Sequence, residues 1–267
     1  KLLLKYRVFI HSYAIMKSFL THISEGKCEI FPLKTPVFSP QHLPCVEKTA
    51  MLYINIHSHR KRQNNEWGVE NRYENFAEVT SGGLFSIGLH PWYITGSHWE
   101  NDLVSLKKVS TSEDVVAIGE CGLDKLCATD FSLQEKAFVA QIHLANQVQK
   151  PLIIHCVRAW DEVLSLLKKE RNKVPVVFHG FNKNAALAQK ITSTGYYLSF
   201  GKALQQQQVQ LAISAASVDK ILLETDDSDI TIESVYEMAA QALSIDINSL
   251  SLQIQKNAAA FFGAAAF

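Results

Sequence analysis

Leu52-Tyr53-Ile54-Asn55-Ile56-His57-Ser58-His59 is a short apolar run that ends in two histidines. On a strand, residues i and i+2 share a face, so His57 and His59 point the same way. The same kind of ending recurs down the chain. Val116-Ala117-Ile118-Gly119 runs into Glu120, Leu152-Ile153-Ile154 into His155, Val176-Val177-Phe178 into His179, and Leu222-Leu223-Glu224-Thr225 into Asp226. His90 follows Phe85-Ser86-Ile87-Gly88-Leu89 in the same manner. The fold is read from this repeated placement of a ligand-type side chain at the carboxyl end of a buried run.

Eight strands follow from short apolar or alternating segments: 52–57, 67–72, 84–89, 115–119, 152–155, 176–179, 196–200 and 221–224. The second has little apolar content. Helical periodicity fills most of the gaps, at 98–109, 131–148, 159–171, 183–194, 204–216, 232–243 and 249–262. In the 131–148 segment, Phe131, Phe138, Val139, Ile142, Ala145 and Val148 form one stripe, and Ser132 with Glu135 reads as a capping box. Strands alternating with helices predict a parallel sheet, and eight of them predict an α/β fold closed into a TIM-like (β/α)₈ barrel. Only seven residues, 60–66, separate His59 from the second strand. A crossover with its helix needs about 10–12 residues, so the first barrel helix is expected to be missing or shortened.

The 267 residues are 47% hydrophobic and 19% charged, with formal net charge zero and a pI near 7.3. This is enough material for one large core, and it excludes a strongly basic nucleic-acid carrier. Five cysteines without a C-x-x-C pair argue against a disulfide framework and for a reducing, cytoplasmic setting. No run approaches the ~20 apolar residues of a membrane span. Residues 1–50 differ from the rest: Lys5, Arg7, His11 and Lys17 interrupt their apolar stretches, and Pro32, Pro36, Pro40 and Pro44 mark irregular connector. They are expected to be an N-terminal extension outside the barrel, with Met51 as a natural start and 51–267 as the barrel domain. The alternative is an N-terminal arm packed on the domain.

Barrel active sites lie at the carboxyl ends of the strands. His57, His59, Glu120, His155, His179 and Asp226 would therefore meet in one mouth. One carboxylate can bridge two cations while imidazoles complete each shell. The expected arrangement is one ion held by His57, His59, Glu120 and Asp226 and a second by Glu120, His155 and His179. Paired ions of this kind sit ~3.5–4 Å apart and make a bound water nucleophilic at neutral pH. Asp226 is in position to orient that water or take its proton. Singly, each residue has an ordinary alternative: a surface His-x-His pair, a strand-end acid, a core histidine. Together, several unpaired histidines and carboxylates in one mouth would be costly to bury without a ligand. The mixed donors admit Mg, Mn or Zn.

Residues 51–263 resemble the TatD family of metal-dependent deoxyribonucleases, within the amidohydrolase-like barrels. The resemblance rests on Asn55-Ile-His57-Ser-His59, Gly88-Leu-His90-Pro91, Ala117-Ile-Gly-Glu120-Cys-Gly-Leu-Asp124, Pro151-Leu-Ile-Ile-His155, His179-Gly-Phe181 and Leu222-Leu-Glu224-Thr-Asp226, in that order. It implies a hydrolase that cleaves DNA phosphodiester bonds with a metal-activated hydroxide, often from a 3′ end. It also implies catalytic roles for Glu120, Asp226 and His90, the last beside the substrate phosphate. DNA is then the expected partner, as substrate, for a monomer or weak oligomer.

Three positions depart from the family. Asn55 stands where Asp is usual. Val157 takes the place of an Arg two residues after His155, leaving Arg158 as the candidate phosphate contact. Asp227-Ser228 replaces a small residue and proline, adding negative charge. Two other functions compete: a related barrel hydrolase for a small phosphoester, amide or lactone, and a catalytically weak metal-binding scaffold. Cys121 and Cys156, beside ligands, read as packing residues. Trp92 and Phe181 read as loop packing or base-stacking residues, and Lys125 as a solvated or phosphate-contacting cation.

Overall fold

The computed structural model describes residues 51–263 apart from Arg62, Asn64, Asn75, Ala77, Glu78, Thr80, Ser81 and Ser97. The expected N-terminal extension lies outside the described residues. Eight parallel strands pair in sequence order: β1 (Tyr53–Ser58), β2 (Glu66–Arg72), β3 (Phe85–Ile87), β4 (Val115–Asp124), β5 (Leu152–Val157), β6 (Val176–Phe178), β7 (Tyr197–Phe200) and β8 (Ile221–Leu223). A parallel bridge between Ser58 and Asp226 joins the first strand to the chain leaving the last. The result is the (β/α)₈ barrel that the strand pattern predicts.

Among the described residues, seven α-helices surround it: α1 (Trp99–Val109), α2 (Phe131–Val148), α3 (Trp160–Lys169), α4 (Ala185–Ser193), α5 (Gln207–Ala215), α6 (Ile232–Leu243) and α7 (Ile247–Phe262). β1 passes to β2 without a helix among the described residues, as the short spacing requires. The core is largely apolar, with buried polar Asn55, Asn71, Ser86 and Ser199 among the strand residues. Ile54, Ile118, Ile154, Phe178, Phe200 and Leu222 are fully buried.

Two details differ from the sequence reading. Asp130, not Ser132, caps α2: its side chain accepts from the Leu133 amide at 3.0 Å, and Ser132 donates to Asp130 at 2.6 Å. An Asp two residues further upstream competes with Ser for the helix-end amides and carries charge to the positive helix end. β4 also continues five residues beyond the expected end, so Glu120 sits within a strand. Gly122 makes this possible. Its φ is +139°, and a Cβ there would fall 2.0 Å from the His155 carbonyl oxygen. Only glycine lets β4 and β5 run so close together beside the site.

Candidate metal centre

Glu120 stands at the middle of the barrel mouth, 3% exposed. Its two carboxylate oxygens face two groups of imidazoles. Oε1 lies 2.8 Å from His155 Nδ1, 2.7 Å from His179 Nε2 and 3.0 Å from His90 Nε2. Oε2 lies 3.4 Å from His57 Nε2 and 3.7 Å from His59 Nε2. Asp226 Oδ1 is 3.4 Å from each of those two rings. All six residues singled out as ligands from sequence thus come together, with His90 beside them.

The backbone explains the convergence. The Asp226 amide donates to the His57 carbonyl at 3.0 Å, and the His59 amide donates to the Asp226 carbonyl at 3.2 Å. Asp226 holds φ +55°, which turns it out of β8 and against the end of β1. Closing the barrel and assembling the His57, His59 and Asp226 cluster are therefore one event. The Glu120 amide donates to Asn71 Oδ1 at 2.9 Å, and Ser86 Oγ donates to the same oxygen at 3.1 Å.

Four side chains that the sequence reading gave no role hold the rings in place. Asn71 reaches from β2 to Glu120. Asp124 Oδ2 is 3.1 Å from His155 Nε2 and accepts from Trp92 Nε1 at 2.7 Å. Glu224, 1% exposed, accepts from the Gly180 amide at 2.6 Å and from Ser199 Oγ, and lies 3.6 Å from His179 Nδ1. The Tyr73 ring is tilted 49° to that of His59, with centroids 6.1 Å apart, and stacks on Tyr93 at 4.5 Å. Asp124 and Glu224 stand inside the motifs that carry the family resemblance, and a carboxylate next to a ligand is a visible signal for an imidazole orienter. Asn71 carries no such signal, because its strand has little apolar patterning.

His90 has both ring nitrogens engaged: Nδ1 accepts from the Trp92 amide at 3.2 Å, which directs its Nε2 hydrogen at Glu120. Arg158 is exposed on the turn after β5, with φ +53°. Asp227 is exposed as well, and Phe181 is buried at 1% exposure. Lys125 is paired with Glu162 and lies 5.6 Å from the Phe131 ring centroid. Trp92 and Tyr93 are 54% and 52% exposed at the rim.

The donor set fits a divalent cation. Both ring nitrogens of His57 and Nδ1 of His179 are buried without a hydrogen-bond partner. Of these, His57 Nε2 faces the Glu120 and Asp226 carboxylates, where a cation would take its lone pair; left unrelieved, such an orphan costs roughly 1–3 kcal/mol. Among the described residues, four sets of three donors lie within 4.8 Å of one another: His57, His59 and Asp226; His57, Glu120 and His179; His90, Glu120 and His155; and His179, Glu224 and Asp226. The electrostatics of these groups keep both carboxylates charged. Burial raises the Glu120 carboxyl, but the His179 charge and contacts from His155, His179 and His57 hold it well below its usual range. Contacts to Asp226 and Glu120 raise His59 to about 9. Burial raises Asp226 too, and His57 and His59 outweigh it, keeping the carboxylate ionised.

The model of the TatD-related DNase family matches residues 68–263. The chain belongs to the TatD family. An uncharacterized metal-dependent hydrolase of Buchnera aphidicola is 34% identical over 148 residues, covering 54% of this chain and 55% of the relative. A protein of Klebsiella pneumoniae named 3′-5′ ssDNA/RNA exonuclease TatD is 34% identical over 165 residues, covering 57% of this chain and 60% of the relative. The chain thus spans just over half the length of these relatives. The crystal structure of the TatD homologue YJJV of Escherichia coli K12 superposes with a TM-score of 0.70 at 20% identity, over 80% of this chain and 98% of that one, which shows the shared fold.

Proposed function

We propose that the protein is a divalent-metal-dependent phosphodiesterase of the TatD type that hydrolyses DNA. The observation that carries this reading is the division of Glu120: one oxygen faces His155 and His179, the other faces His57 and His59. That geometry suits two ions sharing one carboxylate, the first with His57, His59, Glu120 and Asp226, the second with Glu120, His155 and His179. When bound, such ions would supply an acidified water and positive charge to the phosphoryl group. Imidazole with carboxylate ligation is compatible with Zn, Mn or Mg.

The chain's own residues do the rest. Asp226, whose side chain is 36% exposed and remains ionised, faces the open mouth and serves to orient the attacking water and receive its proton. His90 positions Glu120 through its Nε2 hydrogen. Asp124 fixes the His155 ring, and Glu224 faces His179 Nδ1 at 3.6 Å. The exposed Trp92 and Tyr93 offer aromatic faces to an unpaired base. The name of the Klebsiella relative supports a nucleic-acid substrate. The test is cleavage of a defined single-stranded oligonucleotide with Mg²⁺, Mn²⁺ or Zn²⁺, alongside small phosphoesters. His155→Ala is expected to lower cleavage at least a hundredfold. Undiminished cleavage by that variant, or turnover of small esters but not of DNA, contradicts the reading.

A further inference from the structure

A cavity of about 230 Å³ opens beside the candidate metal centre, lined by His155, Val157, His179, Gly180, Lys183 and Asp226, among others. Two facing imidazoles and a carboxylate of the centre make one wall, and the loop between β6 and α4 makes the other. Val157 is the position where the family's arginine is usual, and Arg158 is not among the lining residues. Lys183 is. Three other cations at the strand exits are engaged elsewhere: Arg60 with Asp229 at 2.5 Å, Arg72 with Glu70 at 2.6 Å, and Lys125 with Glu162.

The loop carrying Lys183 is anchored on both sides. The His179 amide donates to the Ile154 carbonyl at 3.1 Å, Gly180 to Glu224 at 2.6 Å, and Phe181 to the Ser199 carbonyl at 3.0 Å. On the far side, Asn184 caps α4 by accepting from the Leu187 amide at 3.0 Å. Lys183 therefore leaves a fixed backbone, half-buried and with no ion pair among the described residues.

We propose that Lys183 is the cation that holds the substrate's phosphate in this chain, taking over from the adjacent loop the part that an arginine after His155 would play. The cavity is then the subsite for the phosphoryl group entering against His155 and His179. An ammonium on a flexible stem satisfies one phosphate oxygen as a point charge, without the bidentate geometry of a guanidinium. This rests on the phosphodiesterase reading.

The test compares wild type with Lys183→Ala, Lys183→Arg and, as a control on the exposed face of α4, Lys190→Ala. Metal-loaded proteins are assayed on a single-stranded oligonucleotide across a salt series, and bound metal is counted. Expected are a fall in kcat/KM of tenfold or more for Lys183→Ala, recovery of most of it in Lys183→Arg, unchanged metal content, and a log–log salt slope shallower by roughly 0.7. Activity within twofold of wild type with the same salt slope overturns the proposal. Protection against thermal unfolding by inorganic phosphate is measured in parallel. If wild type cleaves no oligonucleotide, the phosphodiesterase reading fails. Equal phosphate protection in wild type and Lys183→Ala then overturns the role of Lys183 separately.

Discussion

Asn55 is explained by its partner. Its amide nitrogen donates to Glu66 Oε1 at 2.6 Å and to Thr225 Oγ1 at 2.9 Å, and its oxygen accepts from the Thr225 amide at 3.1 Å. Asn55 and Glu66 are 2% and 7% exposed. An aspartate at position 55 would set two carboxylates against each other in a buried site, where one must take up a proton. The departure from the family thus belongs to a pair, and a single sequence shows only one half of it. Asn55→Asp is expected to cost about 1–3 kcal/mol at neutral pH. Adding Glu66→Gln restores a donor across the contact and should recover much of that loss. Denaturant unfolding of the four proteins measures the coupling; strictly additive effects contradict the explanation. At this scale the convergence of the six candidate ligands was legible because each closes an apolar run. Asn71 and the partner of Asn55 were not, because buried polar pairs leave no periodic trace.

The apolar stripe locates α2, yet its most consequential buried residues are two glutamines that a hydrophobic count passes over. Gln141, fully buried, accepts from the Leu89 amide at 2.7 Å and donates to the Leu89 carbonyl at 3.2 Å. Gln134, seven residues earlier and on the same face, accepts from the Asp124 amide at 2.8 Å and donates to its carbonyl at 3.1 Å. The helix thereby clamps the strand exits that carry His90 and Asp124. Substitution Gln141→Leu leaves two backbone groups of Leu89 without partners. It is expected to cost about 2–4 kcal/mol from roughly 1–3 kcal/mol per orphaned group, some of it relieved by water. It should also weaken metal binding, through displacement of His90. Chemical denaturation and metal titration of the variant check both effects, and wild-type stability would refute the clamp. Helix positions were readable from period and length alone. The cap moved to Asp130, and β4 outran its apolar run, because capping geometry and strand pairing with β5 are tertiary matters.

Across the whole molecule, closure of the barrel and construction of the site are the same contact. Ser58 bridges to Asp226, and the backbone bonds of His57 and His59 to Asp226 bring the first and last strands together at the mouth. The eight-strand barrel and the missing first helix were legible in spacing, since strands recur in order and seven residues cannot house a crossover. The division of labour between the two oxygens of Glu120 was not, because it depends on how far β4 continues and on the approach of β5. No helix among the described residues is long and apolar enough to cross a membrane. A centre that ties opposite edges of the barrel makes metal binding and folding mutually dependent. The most direct measurement of the shared-carboxylate centre is metal titration of wild type and Glu120→Ala, each stripped and then reloaded. Two ions per chain in wild type, with affinity at both sites lowered at least tenfold in Glu120→Ala, is the predicted result. Two ions bound with unchanged affinity in Glu120→Ala would contradict it.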